Sequence, residues 1–210
     1  MVLEKAYAKL YSGYWNIGHG GLPFRALKDL TGAPSEHHLI TKKTNKDELW
    51  EHIKDCDEQN YMMAAGSSDQ FLKKNGIDGG HAYTLIGAHL LNGDRVLELR
   101  NPWGNGEWDG KWGDEDIAWT AELKRKHHPQ GAKNDGRFFM PLNQFVRHFA
   151  SYDICYYKDS YTLSSFLDEL DNEFIGCYKA EVSVPGEYFV CLSQLDRHTF
   201  YNPHIPRSKN

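Results

Sequence analysis

The sequence predicts an α+β fold built around an antiparallel β-sheet, and three patterns carry that expectation. Two apolar runs, HAYTLIGAHLL and RVLELRN, flank Asn92-Gly93, a dipeptide suited to a two-residue hairpin turn. Segments with apolar residues at helical spacing lie on both sides of this hairpin, and the strand-like YMMAAG and DICYY bracket it. Across 210 residues, 40% are hydrophobic and 25% charged, a composition able to bury a substantial core.

In chain order, Leu3, Ala6, Tyr7 and Leu10 predict an amphipathic helix over 3–12 that stops at Gly13. A glycine-rich connector follows, then a short helix from Phe24 to Leu30 ending at Gly32. Thr44 with Asp47 reads as a capping box opening a helix through Leu49, Trp50 and Ile53, with Cys56 near its end. The hairpin comes next, then a loop rich in glycine and tryptophan over 102–114 and helical stretches at 117–126 and 142–149. Beyond it, FIGCYKAEVSV and GEYFVCLSQL read as two strands of a new sheet joined at Pro185-Gly186, too few to form a stable sandwich alone.

Composition excludes some function classes. The net charge is −5 and the basic residues are scattered apart from Lys124, Arg125 and Lys126, so no phosphate-binding stripe exists for nucleic acid. No apolar run reaches the roughly 18 residues of a membrane span, and the N-terminus is charged where a secretion signal needs apolar residues. With four sparse cysteines, expected reduced and mostly buried, this predicts a soluble, cytoplasmic protein. The histidines show neither HExxH nor paired CxxC spacing; the adjacent pairs His37-His38 and His127-His128 should point different ways, as surface residues.

Candidate chemistry centres on the hairpin. His81 opens one arm and Asn101 closes the other, so antiparallel pairing returns both to one end of the sheet. An asparagine oxygen accepting one imidazole N–H leaves the other ring nitrogen as a base, and Trp103 can shield that bond from water. A two-residue turn alone pairs Asn101 with Thr84 and leaves His81 about 10 Å along the strand. Contact thus requires a wider loop centred on Leu91 or a bulge in one arm. Taken alone, the two residues read more readily as an ordinary half-buried histidine and a strand-end turn residue.

Their context decides. DGGHAYTL, LRNPWGNGEW, the later W-G-D and KNDGRFFMPLNQFVRHF resemble, in order, the active-site segments of calpains, papain-like cysteine proteases. LEKAYAKLYSGYW resembles the opening helix of their second catalytic subdomain, and CLSQLDR the start of the β-sandwich that follows. The resemblance implies, over 1–157, the second half of a papain-like core, an antiparallel sheet or half-barrel with flanking helices, and over 158–210 a linker and the first strands of a partial all-β sandwich. It implies a cysteine endopeptidase acting on protein or peptide substrates, with His81 as general base, Asn101 as its orienter and Trp103 as the shielding aromatic.

A thiol protease also needs a thiolate, whose pKa falls from about 8.5 to about 3–4 beside an imidazolium. The family places that cysteine in a preceding subdomain, in a Gln-x-x-x-x-Asp-Cys-Trp type segment that these residues do not contain. Cys56 follows Lys54-Asp55 without the flanking Trp or upstream Gln, and reads as an ordinary cysteine. The chain should therefore be inactive alone and partner a cysteine-bearing subdomain, or else be a regulatory scaffold that keeps the fold. The resemblance further implies calcium, with Glu107, Asp114 and Asp135 at ligand positions. Arg137 stands where calcium-binding members carry an acidic residue, and argues against the ion by repelling it or pairing with these carboxylates, as Lys111 also could.

Overall fold

Asn92 and Gly93 both take positive φ, 49° and 86°, the backbone of the tightest hairpin turn. From this turn the arms pair Leu91 with Asp94, Leu90 with Arg95 and onward to Thr84 with Arg100. The computed structural model describes residues 2–18, 20–128, 134–166 and 179–192. These fall into two units, 22–161 and a smaller one formed by 1–21 with 162–210.

The smaller unit holds helices α1 (Val2–Leu10) and α2 (Tyr14–Gly18). Gly13 separates them at φ 132°, its N–H closing on Ala8 O at 2.7 Å, so the predicted stop occurs. Residues 179–192 form no strand, and their side chains stand exposed. The predicted pair of strands is thus not formed there, because two strands alone have no sheet against which to bury a face. The rest of both predicted strands, with Cys177, lies outside the described residues.

The larger unit runs α3 (Pro23–Thr31), β1 (Ser35–Leu39), α4 (Lys46–Glu58), β2 (Met62–Ser67), β3 (Lys73–Lys74), β4 (Ile77–Asp78), β5 (Ala82–Leu91), β6 (Asp94–Arg100), α5 (Ala121–His127), β7 (Arg137–Pro141), α6 (Leu142–His148) and β8 (Phe149–Cys155). Six strands make one antiparallel sheet in the order β1-β8-β2-β5-β6-β7. The edges β1 and β7 do not meet, so the sheet is open and no barrel closes. Helix α4 starts one residue later than Thr44 implied: Asn45 is the cap, its Oδ1 accepting Asp47 N at 3.0 Å while its amide reaches Glu48. Helix α5 is shorter than predicted, capped by Thr120, because the preceding Trp119 turns into a core instead of lying on a helix face. None of the helices among the described residues is long and apolar enough to cross a membrane.

Strand β6 explains why both faces of the sheet are covered. Leu97 and Leu99 point into the main core with Ile53, Tyr83, Phe138 and Phe145, while Val96 faces a second cluster of Leu91, Trp112, Trp119 and Phe139. Glu98 shares the second face, buried but paired: His89 Nε2 donates to one oxygen at 2.8 Å and Arg137 Nε to the other at 2.5 Å. Burial works against the Glu98 charge, yet these two bonds outweigh it and hold the carboxyl below its usual range.

The second cluster overturns the reading of the paired histidines as surface residues. His127 and His128 are both buried against Trp119 and Phe139, because α5 ends at His127 and the chain bends inward at His128. His148 is buried too, edge-on to Trp108 and Phe71. The Nε2 atoms of His127 and His128 are buried without a hydrogen-bond partner. Burial foremost depresses both rings' pKa, with the charges of His89 and Lys126 around His127 and of Arg137 and Lys124 around His128; Glu98 acts the other way at both, and Asp135 at His128.

Folded-state values below the unfolded value of about 6.5 mean that the unfolded chain takes protons first. The contribution of these two rings to stability is therefore full above about pH 6.5 and falls as the pH drops below it. Glu98 contributes in a separate window, losing its bonds only as the pH falls through its own lower pKa. These two rings lower the urea midpoint between pH 7.5 and 5.5 while protonation of Asp114, pushed up to about 6, raises it, so the His127→Gln, His128→Gln double variant is expected to shift that slope towards greater stability at the acid end. Equal slopes in both proteins would refute the assignment.

Candidate active site

The hairpin register brings His81 and Asn101 together by a bulge. Pairing slips between Leu85 and Gly87, so Thr84 lies opposite Arg100 and Asn101 comes level with Tyr83. Without the slip the two residues would be offset by three, placing their side chains on opposite faces of the sheet. With it the offset is two, on the same face and within diagonal reach. Of the two routes to contact that the sequence left open, the turn stays tight and the bulge occurs. Asp57 on α4 holds it: its Oδ2 accepts Ala88 N at 2.9 Å, and a Cβ on Gly87 would come within 3.0 Å of that carboxylate.

At the sheet's end His81 Nε2 lies 2.9 Å from Asn101 Oδ1. The amide cannot be turned around, since Oδ1 also accepts Trp103 N at 3.1 Å and Nδ2 donates to Gly106 O at 3.2 Å. With Oδ1 fixed as acceptor, His81 Nε2 carries the proton and Nδ1 is the basic nitrogen. Asn101 is wholly buried, and its backbone N–H donates to Gly136 O at 2.7 Å. Trp103 stacks on the His81 ring, centroids 4.0 Å apart at 28°, with 61% of its own surface exposed. Tyr83 meets the same ring edge-on at 4.9 Å, and burial pushes its hydroxyl up to about 12, so it stays neutral.

Gly106 and Gly136, which hold Asn101, escaped the sequence reading because nothing local marks a carbonyl as a distant residue's acceptor. The β3–β4 ribbon just before His81 did leave a signal, an Asn75-Gly76 turn with φ of 50° and 80°.

Cys56 sits in the main core, and burial, then Asp55 and Glu36, pushes its thiol up to about 11. That is the opposite of an activated nucleophile. Cys155 is likewise buried, at the end of β8.

The loop beyond Asn101 lines a cleft of about 740 Å³ with Glu107, Asp109, Asp114, Glu115 and Asp116. Burial, then the charges of Glu107, Asp135 and Glu115, pushes the Asp114 carboxyl up to about 6, with Lys124 opposing them. Burial raises Glu107 as well, although Gly136 N donates to its Oε1 at 2.7 Å. Asp114 Oδ1 is buried with no hydrogen-bond partner. The two basic residues expected to interfere are engaged elsewhere, Arg137 with Glu98 and Lys111 with Asp94 at 2.5 Å. The oxygen donors and the unpartnered Asp114 oxygen suit a hard cation. Even so, no three His, Cys, Asp or Glu side chains among the described residues stand where they could hold a metal ion.

A sequence model described as calpain family cysteine protease matches residues 1–156. The chain belongs to the calpain family. The calpain-type cysteine protease DEK1 of Zea mays is 37% identical over 165 residues, 73% of this chain. Calpain clp-4 of Caenorhabditis elegans is 32% identical over 165 residues and calpain-13 of Rattus norvegicus 34% over 164, each over 73% of this chain. The chain spans 8% of the maize protein and 23% and 24% of the other two calpains.

Proposed function

We propose that this chain supplies the base side of a calpain-type cysteine endopeptidase site and is inactive without a nucleophile-bearing subdomain. The observation that carries this is the bond from His81 Nε2 to Asn101 Oδ1, which leaves Nδ1 to take a thiol proton. In the assembled cleft His81 Nδ1 accepts that proton, the thiolate attacks the scissile carbonyl, and the imidazolium returns the proton to the leaving amine. Asn101 orients the ring without adding a charge, and the Trp103 stack limits water at their bond. A buried Cys56 thiol near 11 supports a nucleophile supplied from outside these residues. The test is reconstitution: this chain alone should not cleave a fluorogenic peptide, and mixing it with a separately produced calpain nucleophile subdomain should restore turnover. Binding without any turnover would favour a regulatory scaffold.

Glu107, Asp114 and Asp135 are the side chains that would hold calcium, and the ion would supply the positive charge that offsets their mutual repulsion. Asp114's folded pKa lies above its unfolded value of 3.8, so its charge destabilises the folded state at neutral pH and protonation relieves it. Without calcium, Asp114→Asn should raise the unfolding midpoint by about 2–4 °C, a gain of about 1 kcal/mol after allowing for solvent screening. Millimolar calcium should raise the wild-type midpoint and leave the variant's unchanged. Equal calcium shifts in both would remove Asp114 from the site.

A further inference from the structure

Residues Asp78 to His81 form the turn that delivers His81 to the head of β5, with Gly79 and Gly80 at its centre. Such a turn is commonly closed by a bond from its last N–H to its first carbonyl. Here a hydroxyl stands between them. His81 N donates to Ser67 Oγ at 2.9 Å, and Ser67 Oγ donates to Asp78 O at 2.7 Å. The hydroxyl has a single proton, and the His81 carbonyl, 3.0 Å from Oγ, already accepts Ser67 N at 2.9 Å. Ser67 is therefore bonded to both ends of the turn and to both backbone polar groups of His81.

Its place in the sheet makes this possible. Ser67 ends β2, where the register with β8 slips after Gly66, and it is buried, so water does not substitute for its hydroxyl. The backbone bond from Ser67 N holds the His81 carbonyl whatever the side chain, but the His81 N–H is held by the hydroxyl, and the other holds on the turn stop short of His81: Gly79 N reaches Leu72 O, Gly80 N reaches Ser68 O, and Asp78 N reaches the Tyr83 hydroxyl. The His81 ring beyond the turn then has to meet a fixed target, since Asn101 is wholly buried and clamped on three sides.

We propose that Ser67 is a positioning residue for His81: its hydroxyl sets the backbone from which the imidazole reaches Asn101. The proposal rests on the reading of His81 as the base, and its central test does not depend on turnover. In the full chain labelled with ¹⁵N, the His81 Nε2–H held by Asn101 should give a slowly exchanging imidazole signal, assigned by its loss in His81→Gln. In Ser67→Ala that proton should exchange at least tenfold faster, while the indole N–H signals of Trp112 and Trp119 keep their positions. Ser67→Cys, which keeps the volume with a weaker hydrogen-bonding group, should fall between, and it decides the matter if the alanine variant does not fold.

A folded Ser67→Ala or Ser67→Cys chain with unaltered His81 exchange would overturn the proposal, leaving Ser67 a turn cap that affects stability alone. In the reconstituted enzyme the alanine variant should lose about tenfold in kcat with KM unchanged, a loss of about 1.4 kcal/mol in transition-state stabilisation. Faster exchange in a chain whose wild-type form never restores turnover would sink the base reading and keep Ser67 in its positioning role.

Discussion

Replacing His81 by alanine in the reconstituted enzyme is expected to lower kcat by about 10³–10⁴-fold while leaving the chain folded. The size follows from what the ring does. On the proposed reading it removes the thiol proton, forms an ion pair with the thiolate and later protonates the amine, and no other group in contact with it among the described residues would duplicate that. Tyr83, the nearest titratable neighbour in contact with the ring, is held neutral with its hydroxyl near 12. The ring is only half-buried, so its loss opens no large cavity. Asn101→Ala should cost less turnover and more stability. Its bond to the imidazolium is a hydrogen bond to a charged group, about 1.5–3 kcal/mol, or about 10- to 150-fold in rate. Removing the amide also strands Gly106 O and Trp103 N, which it satisfies from a wholly buried position. Paired measurements of kcat and urea midpoint separate the two residues. An His81→Ala variant that retained turnover would end the base assignment.

The parts of this fold that were legible in the sequence are those decided by neighbours along the chain. Asn92-Gly93 can hardly sit anywhere but a tight turn, and the apolar spacing of Leu49, Trp50 and Ile53 suits nothing but a helix face. The requirement that something repair the His81–Asn101 register was legible as well. Its location was not, because the bulge depends on a carboxylate arriving from Asp57 on another element. Helix α5 came out shorter for a similar reason: Trp119 gains more against Phe139 and Trp112 than on a helix face, so Thr120 becomes the cap. Buried His127 and His128 defied their usual surface preference because a helix end aims them at that same aromatic cluster. Arg137 pairs with Glu98, a buried carboxylate on the neighbouring strand that no local pattern marks as its partner.

Gly79→Ala should produce the largest loss of stability of any change proposed here, about 3 kcal/mol or more, a fall of about 6–12 °C in the unfolding midpoint. The cause is steric and involves backbone alone. A Cβ built on Gly79 would sit 1.6 Å from Phe71 O, 2.8 Å from Phe71 C and 2.9 Å from Ser68 O. No rotamer relieves a clash with two carbonyls, so either the 68–72 segment or the turn must move. Both routes cost bonds, because Gly79 N donates to Leu72 O and Gly80 N to Ser68 O across that contact. Gly93→Ala is the control: its φ of 86° is left-handed, but nothing lies within 4 Å of the added Cβ, so only backbone strain of about 1–2 kcal/mol is expected. The two variants should also differ in what they do to His81. Displacing the turn pulls His81 N away from Ser67 Oγ and the ring away from Asn101, whereas a strained hairpin tip at the far end of β5 leaves both bonds in place. Protected His81 Nε2–H in Gly93→Ala and its loss in Gly79→Ala would tie the ring's placement to the turn. Comparable unfolding midpoints for the two variants would instead mean that the 68–72 segment yields without cost, and that the close packing around Gly79 contributes little to holding His81.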